Sequence, residues 1–257
     1  MASMSIRKNY TEMEMISKSI SCAGTNLDIY DGPVGITVSG GADSAILLYH
    51  LMKECHYLTN HSEDTIHIFS LGNNDKRRVN ISVAIQVVEK CIQLTGNTNI
   101  EHHINYCKTQ TGDSLYAMPK QFTEEKRVKI VYSGLTANPP KEVLDTFKLT
   151  TLELDDRDPN VKRDVLSLDD TKYSPWANID KKKIASMYKE ENLLEKLFTI
   201  TRSCEYDPTH HYFRDDVKDP GHGHCGQCWW CEEREWAFGQ AMITMYLRDY
   251  NENNSIN

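Results

Sequence analysis

The chain has 257 residues, enough to bury a sizeable core without disulfide or metal staples. Charged residues make up 26% and hydrophobic residues 39%, as in ordinary soluble enzymes, and a net charge of −8 speaks against broad adhesion to nucleic acid. No apolar run nears the roughly 20 residues of a membrane-spanning helix, and "MASMSIRKNYTEMEMISKSI" lacks the apolar stretch of a secretory signal, so the expectation is a cytoplasmic protein whose eight cysteines are thiols or metal ligands.

"VGITV" (Val34–Val38) is short, apolar and rich in β-branched residues, and reads as a buried strand. "SAILLYHLMKE" follows a glycine turn, is Leu-rich and free of Gly and Pro, and reads as a helix. "TIHIFSL" (Thr65–Leu71) is a second strand. In "RRVNISVAIQVVEKCIQL", Val79, Val83, Ile85, Val87, Val88 and Ile92 form a broad stripe, which predicts a helix despite the β-branched content. "NIEHHINY" fits a third strand and "VKIVYSG" (Val128–Gly134) a fourth, with "DSLYAMPKQFTEEKR" between them helical in parts. The acidic, Pro-punctuated stretch from Pro139 to Trp176 reads as a long excursion over the surface or the site. "NIDKKKIASMYKEENLLEKL" returns to helical periodicity with Asp180 as N-cap. Strands alternating with helices predict an α/β fold: a parallel sheet with helices on both faces, in one domain spanning 1–257. Such sheets take ligands beyond the carboxyl ends of their strands.

The turn Ser39-Gly40-Gly41-Ala42-Asp43-Ser44 sits at one such end. Glycines let backbone amides approach a ligand closely, and the helix that follows adds its positive N-terminal end. Ser39 and Ser44 offer hydroxyl donors to phosphate oxygens. Asp43 would repel a bare anion, so its presence makes sense if a divalent cation accompanies the phosphate. No Gly-Lys-Ser/Thr follows, which disfavours an ordinary P-loop.

The segment at 200–240 holds Cys204, Cys225, Cys228 and Cys231. Cys-x2-Cys steps joined by an upstream cysteine suit a closed tetrahedral zinc site, with an iron–sulfur cluster as the other four-thiolate option. His210, His211, His222 and His224 are alternative ligands, each on its own an ordinary loop histidine. Trp229, Trp230, Trp236 and Phe238 surround the cluster as core aromatics, with stacking on a purine-like base as the lesser reading.

"VSGGADS" resembles the SGGxDS signature of the PP-loop ATP pyrophosphatases. Together with "RSCEY" and "CGQCWWCEER", the chain resembles the 7-cyano-7-deazaguanine synthases within that superfamily. The resemblance implies that Ser39, Gly40, Gly41, Ala42, Asp43 and Ser44 hold ATP and its pyrophosphate, with Asp43 orienting Mg²⁺. It puts Lys181 at the family's lysine position and Arg234 at its arginine position, as contacts to phosphate or carboxylate. It also implies Zn²⁺ on the four cysteines, 7-carboxy-7-deazaguanine and ammonia as substrates, and a homodimer. The match covers both ends well and the middle poorly. Leu71-Gly72-Asn73 replaces the family's Tyr-Gly-Gln, and "SGLTANPPKEVLDTF" replaces its Tyr-Pro-Asp-Cys-Arg segment. Those segments belong to the substrate side. Two other readings therefore stay open: an enzyme adenylylating a tRNA or other nucleic-acid base, and a deazaguanine-using conjugating module in phage DNA modification or antiviral defence.

Overall fold

The computed structural model describes residues 16–58, 65–73, 78–107, 112–147, 157–167, 170–204 and 228–239. It opens with a hairpin that the sequence reading did not anticipate. Strands β1 (Ile16–Cys22) and β2 (Thr25–Tyr30) pair antiparallel around Ala23 and Gly24, both at positive φ as a two-residue primed turn requires. Leu27 and Ile29 alternate inward and are fully buried. Tyrosine hydroxyls fasten the hairpin to the rest: Tyr132 accepts from Tyr30 N at 3.0 Å and donates to Asp28 O at 2.9 Å.

The main sheet follows the expected alternation. Strand β3 (Val34–Thr37) leads into α1 (Ala42–Leu58), β4 (Ile66–Asn73), α2 (Arg78–Thr95), β5 (Ile100–Cys107), α3 (Gly112–Glu124) and β6 (Val131–Tyr132). The excursion contributes α4 (Lys141–Leu144), β7 (Leu166–Ser167) and β8 (Lys172–Tyr173) before α5 (Lys181–Glu190) and α6 (Trp229–Phe238). The sheet order is β5-β4-β3-β6-β8-β7, parallel except for the antiparallel β7–β8 pair. The fourth strand pairs fully only at Val131–Tyr132, although Gly35 N still donates to Ile130 O and Ser133 N to Tyr173 O.

Helices cover both faces. On one, Ile46, Leu47, Leu48 and Leu51 of α1, Ala84, Val87, Val88 and Cys91 of α2, and Ile184 and Met187 of α5 pack on Ile36, Ile68 and Tyr132. That i, i+3, i+4 spacing explains why α2 tolerates its β-branched residues: burial of the stripe outweighs weak helix propensity. On the other face, Phe122 of α3 packs on Phe69, Val128 and Val131. From β3 the chain runs outward to β4 and β5, then returns to the far side of β3 as β6. The strand order therefore reverses beside β3, and a crevice opens beyond its carboxyl end. Among the described residues no helix is long and apolar enough to cross a membrane.

Candidate functional site

The Ser39–Ser44 turn lines a cavity of about 340 Å³ at that reversal point. Gly40 takes φ +84, and a Cβ there would come within 3.0 Å of Ala84 N in α2. Only glycine meets both demands. Across the crevice, a Cβ on Gly134 would lie 2.8 Å from Ser44 N, so the β6 loop can press directly on the first turn of α1. Within the turn the hydrogen bonds are long: Gly41 N donates to Ser39 Oγ at 3.3 Å, and Ser39 Oγ and Ser44 Oγ lie 3.4 Å apart. Contacts of that length exchange readily for a stronger anionic acceptor. The first amides of α1, including that of Ala42, have no carbonyl of their own helix to bond. The side chain of Ala42 is buried in the core, so only its backbone can serve a ligand.

Beside the turn lies a buried charge cluster drawn from four parts of the chain. Lys181 Nζ lies 3.3 Å from Asp43 Oδ2 and donates to Glu233 Oε2 at 2.7 Å. Arg157 Nη2 donates to Glu233 Oε1 at 2.9 Å. Two cations face two anions, so the set is neutral. Burial pulls the Lys181 ammonium down, but Asp43 and Glu233 together hold it above its ordinary value. Burial pushes the Glu233 carboxyl up, and Lys181 and Arg157 more than offset that. Lys181 opens α5, where the helix dipole disfavours a cation, and these carboxylates compensate. Asp43 lines the cavity and its Oδ1 is buried with no hydrogen-bond partner among the described residues. An orphaned carboxylate oxygen beside this glycine turn fits a hard cation such as Mg²⁺, which takes one or two carboxylates and shares the rest of its shell with phosphates and water.

The predicted residues Ser39, Gly40, Gly41, Ala42, Asp43, Ser44 and Lys181 thus come together. Arg234 lies elsewhere. It is fully buried, its Nη2 donates to Phe198 O at 3.0 Å and to Thr201 O at 3.1 Å, and its guanidinium lies 3.8 Å over the Phe198 ring. It braces the Phe198–Thr201 backbone that leads to the cavity and does not itself line the cavity. Arg202, just after Thr201, does. Arg202 N donates to Gly40 O at 2.8 Å, the residue lines the cavity, and its Nε is buried with no partner among the described residues. Arg202 stands in the "RSCEY" segment, so its motif was visible while its place on the cavity wall was not. Glu233 and Arg157 gave no signal, being 76 residues apart. Trp230 also lines the cavity.

Cys204, Cys228 and Cys231 are buried with their sulfurs within 4.8 Å of one another. The Cys228–Cys204 separation of 3.9 Å is close to the about 3.8 Å edge of a tetrahedron with Zn–S near 2.3 Å. A four-iron cube holds each cysteine on a different iron and spreads the sulfurs wider. The trio therefore suits a single ion. Cys225, and His210, His211, His222 and His224, lie outside the described residues.

Among solved structures the chain is similar to the U34-tRNA thiolase NcsA from Methanococcus maripaludis with its [4Fe-4S] cluster. The identity is 14% and the TM-score 0.42, over 84% of this chain and 72% of that one. No family model and no curated protein matches the sequence. A likeness of that size carries nothing about activity, which rests on the residues themselves.

Proposed function

We propose that the chain is an ATP-dependent enzyme that splits ATP between its α and β phosphates and passes the adenylyl group to a substrate oxygen. The observation that carries this is the Ser39–Ser44 turn, open to a cavity at the strand-order reversal and flanked by the free oxygen of Asp43. The amides and hydroxyls of the turn would take the pyrophosphate end of ATP. Arg202 would add a cation at the rim, and Lys181 would hold Asp43 in place. Mg²⁺, bound with the nucleotide and held by Asp43, would screen the triphosphate charge.

For the substrate we infer 7-carboxy-7-deazaguanine, on the strength of the two end motifs. A carboxylate resists attack by ammonia because oxide is a poor leaving group. Its oxygen attacks the α-phosphorus of ATP, the bond to the bridging oxygen breaks, and pyrophosphate leaves. Ammonia then displaces AMP from the acyl carbon and gives the amide. A second ATP adenylylates the amide oxygen in the same way. Loss of AMP with the nitrogen's protons leaves the nitrile, 7-cyano-7-deazaguanine. The residues of this chain bind, orient and shield these steps from water; Cys204, Cys225, Cys228 and Cys231 would hold Zn²⁺ with four thiolates, which would give it a structural role.

The test is pyrophosphate release from ATP, Mg²⁺ and ammonia on adding 7-carboxy-7-deazaguanine, with the nitrile identified by mass. Asp43→Asn should abolish release while far-ultraviolet circular dichroism shows the fold retained. Turnover that appears only with tRNA would move the substrate to a nucleic-acid base. Absence of any pyrophosphate release, or full turnover by Asp43→Asn, would remove the proposal.

A further inference from the structure

Behind the cavity, β4 and β5 carry a second group of ligand-type side chains. Their parallel register sets His67 opposite Glu101 and Phe69 opposite His103, so all four point to the face that α3 covers. His67 Nδ1 and His103 Nε2 are 3.1 Å apart, and Glu101 Oε2 lies 3.4 Å from the first and 3.5 Å from the second. Zn–N and Zn–O bonds near 2.0–2.2 Å place tetrahedral donors about 3.3–3.6 Å apart, so the three atoms outline one face of such a site. The rings are also held. His103 stacks on His67 and on Phe69 at 5.4 Å, and Phe122 meets both histidines edge-on.

We propose that His67 Nδ1, His103 Nε2 and Glu101 Oε2 form a second metal site, for a borderline divalent ion of the Zn²⁺ class. Two imidazoles and one carboxylate select such ions over Mg²⁺ or Ca²⁺. Glu101 is the exposed member, so the fourth position faces water. The opposing charge is Arg127, 3.9 Å from the same carboxylate oxygen and stacked at 3.7 Å on Phe122. That distance is too long for a hydrogen bond, so the carboxylate is not committed to it. An ion here ties β4 to the edge strand β5 directly behind Phe69, which lines the cavity.

The full chain, stripped with chelator and titrated with Co²⁺, tests this without any activity. The cysteine site reports through near-ultraviolet thiolate charge transfer, and the histidine site adds visible bands without it. The wild type should therefore bind a second equivalent with no thiolate signature. Losing a residue that only orients a ligand costs roughly 10–100-fold in metal affinity, so losing a ligand should cost at least about tenfold. Glu101→Gln, half exposed and harmless to the core, and His103→Ala should each weaken or abolish that equivalent and leave the thiolate signal intact. A wild type with no second equivalent, or one that both variants keep at unchanged affinity, would overturn the site and leave the histidines as a hydrogen-bonded pair.

Discussion

Two arginines near the cysteine cluster show how one residue type divides its work by direction. Arg234 is enclosed, with its Nη2 donating to the carbonyls of Phe198 and Thr201 and its plane on the Phe198 ring. Arg202 directly follows Thr201 and lines the cavity, with its Nε buried and unpaired among the described residues. Removing a charge-assisted hydrogen bond costs about 1.5–3 kcal/mol, which is about 10–100-fold in kcat/KM if the lost partner is a phosphate. Arg202→Gln should therefore lower kcat/KM for ATP by that factor with an unchanged melting temperature. Arg234→Gln should lower the melting temperature instead, because two buried carbonyls lose their donor. Steady-state pyrophosphate release and thermal melts of the two variants measure this directly. Equal thermal losses, or an unaltered ATP dependence in Arg202→Gln, would contradict the assignment.

At the scale of elements, the α1–α5–α6 junction is held by Glu233, which joins Lys181 at the start of α5 to Arg157 of the excursion. Burial raises its carboxyl, but Lys181 and then Arg157 pull it below the ordinary 4.5. Between the folded and unfolded values the unfolded chain binds more protons, so stability rises with pH across that window. The contribution is complete above pH 4.5 and is lost as the pH falls through the folded value. Breaking a buried pair by removing one partner costs about 3–5 kcal/mol. Glu233→Gln should be destabilised by about that much near neutral pH in urea unfolding, and its gap from wild type should close below pH 4.5. A gap that is constant down to pH 3 would show the junction is not held by charge. None of this was readable beforehand, because Glu233 and Arg157 meet only through tertiary contact. The β3–turn–α1 unit was readable, since each residue of "VGITVSGGADS" acts locally. The stripe of α2 was readable because its period survives its β-branched content. Helix α3 was obscured by Pro119 within it, and the β1–β2 hairpin by polar residues on its open face.

For the whole molecule, the described residues after α5 supply part of the cavity wall through Arg202, Ser203 and Trp230. Cys204 directly follows Arg202 and Ser203, both on the cavity wall. Cys228 caps α6 and Cys231 lies in its first turn, two residues before Glu233. A metal on these thiolates would therefore fasten the Arg202 segment and the charge cluster to each other, and both to the Ser39–Ser44 turn through Arg202 N and Gly40 O. Binding free energy of such an ion is folding free energy for the segment it joins. Cys228→Ser, or exhaustive chelation of the wild type, should lower the melting temperature by at least about 5 °C, or roughly 2 kcal/mol at about 2–4 °C per kcal/mol. ATP affinity should fall with it, since the wall carrying Arg202 is released, and Zn²⁺ should restore both in the chelated wild type and neither in Cys228→Ser. Calorimetry with ATP across these samples and the untreated wild type reads the two effects together. Loss of stability without loss of ATP binding would mean that the cysteine cluster holds its own segment and not the site.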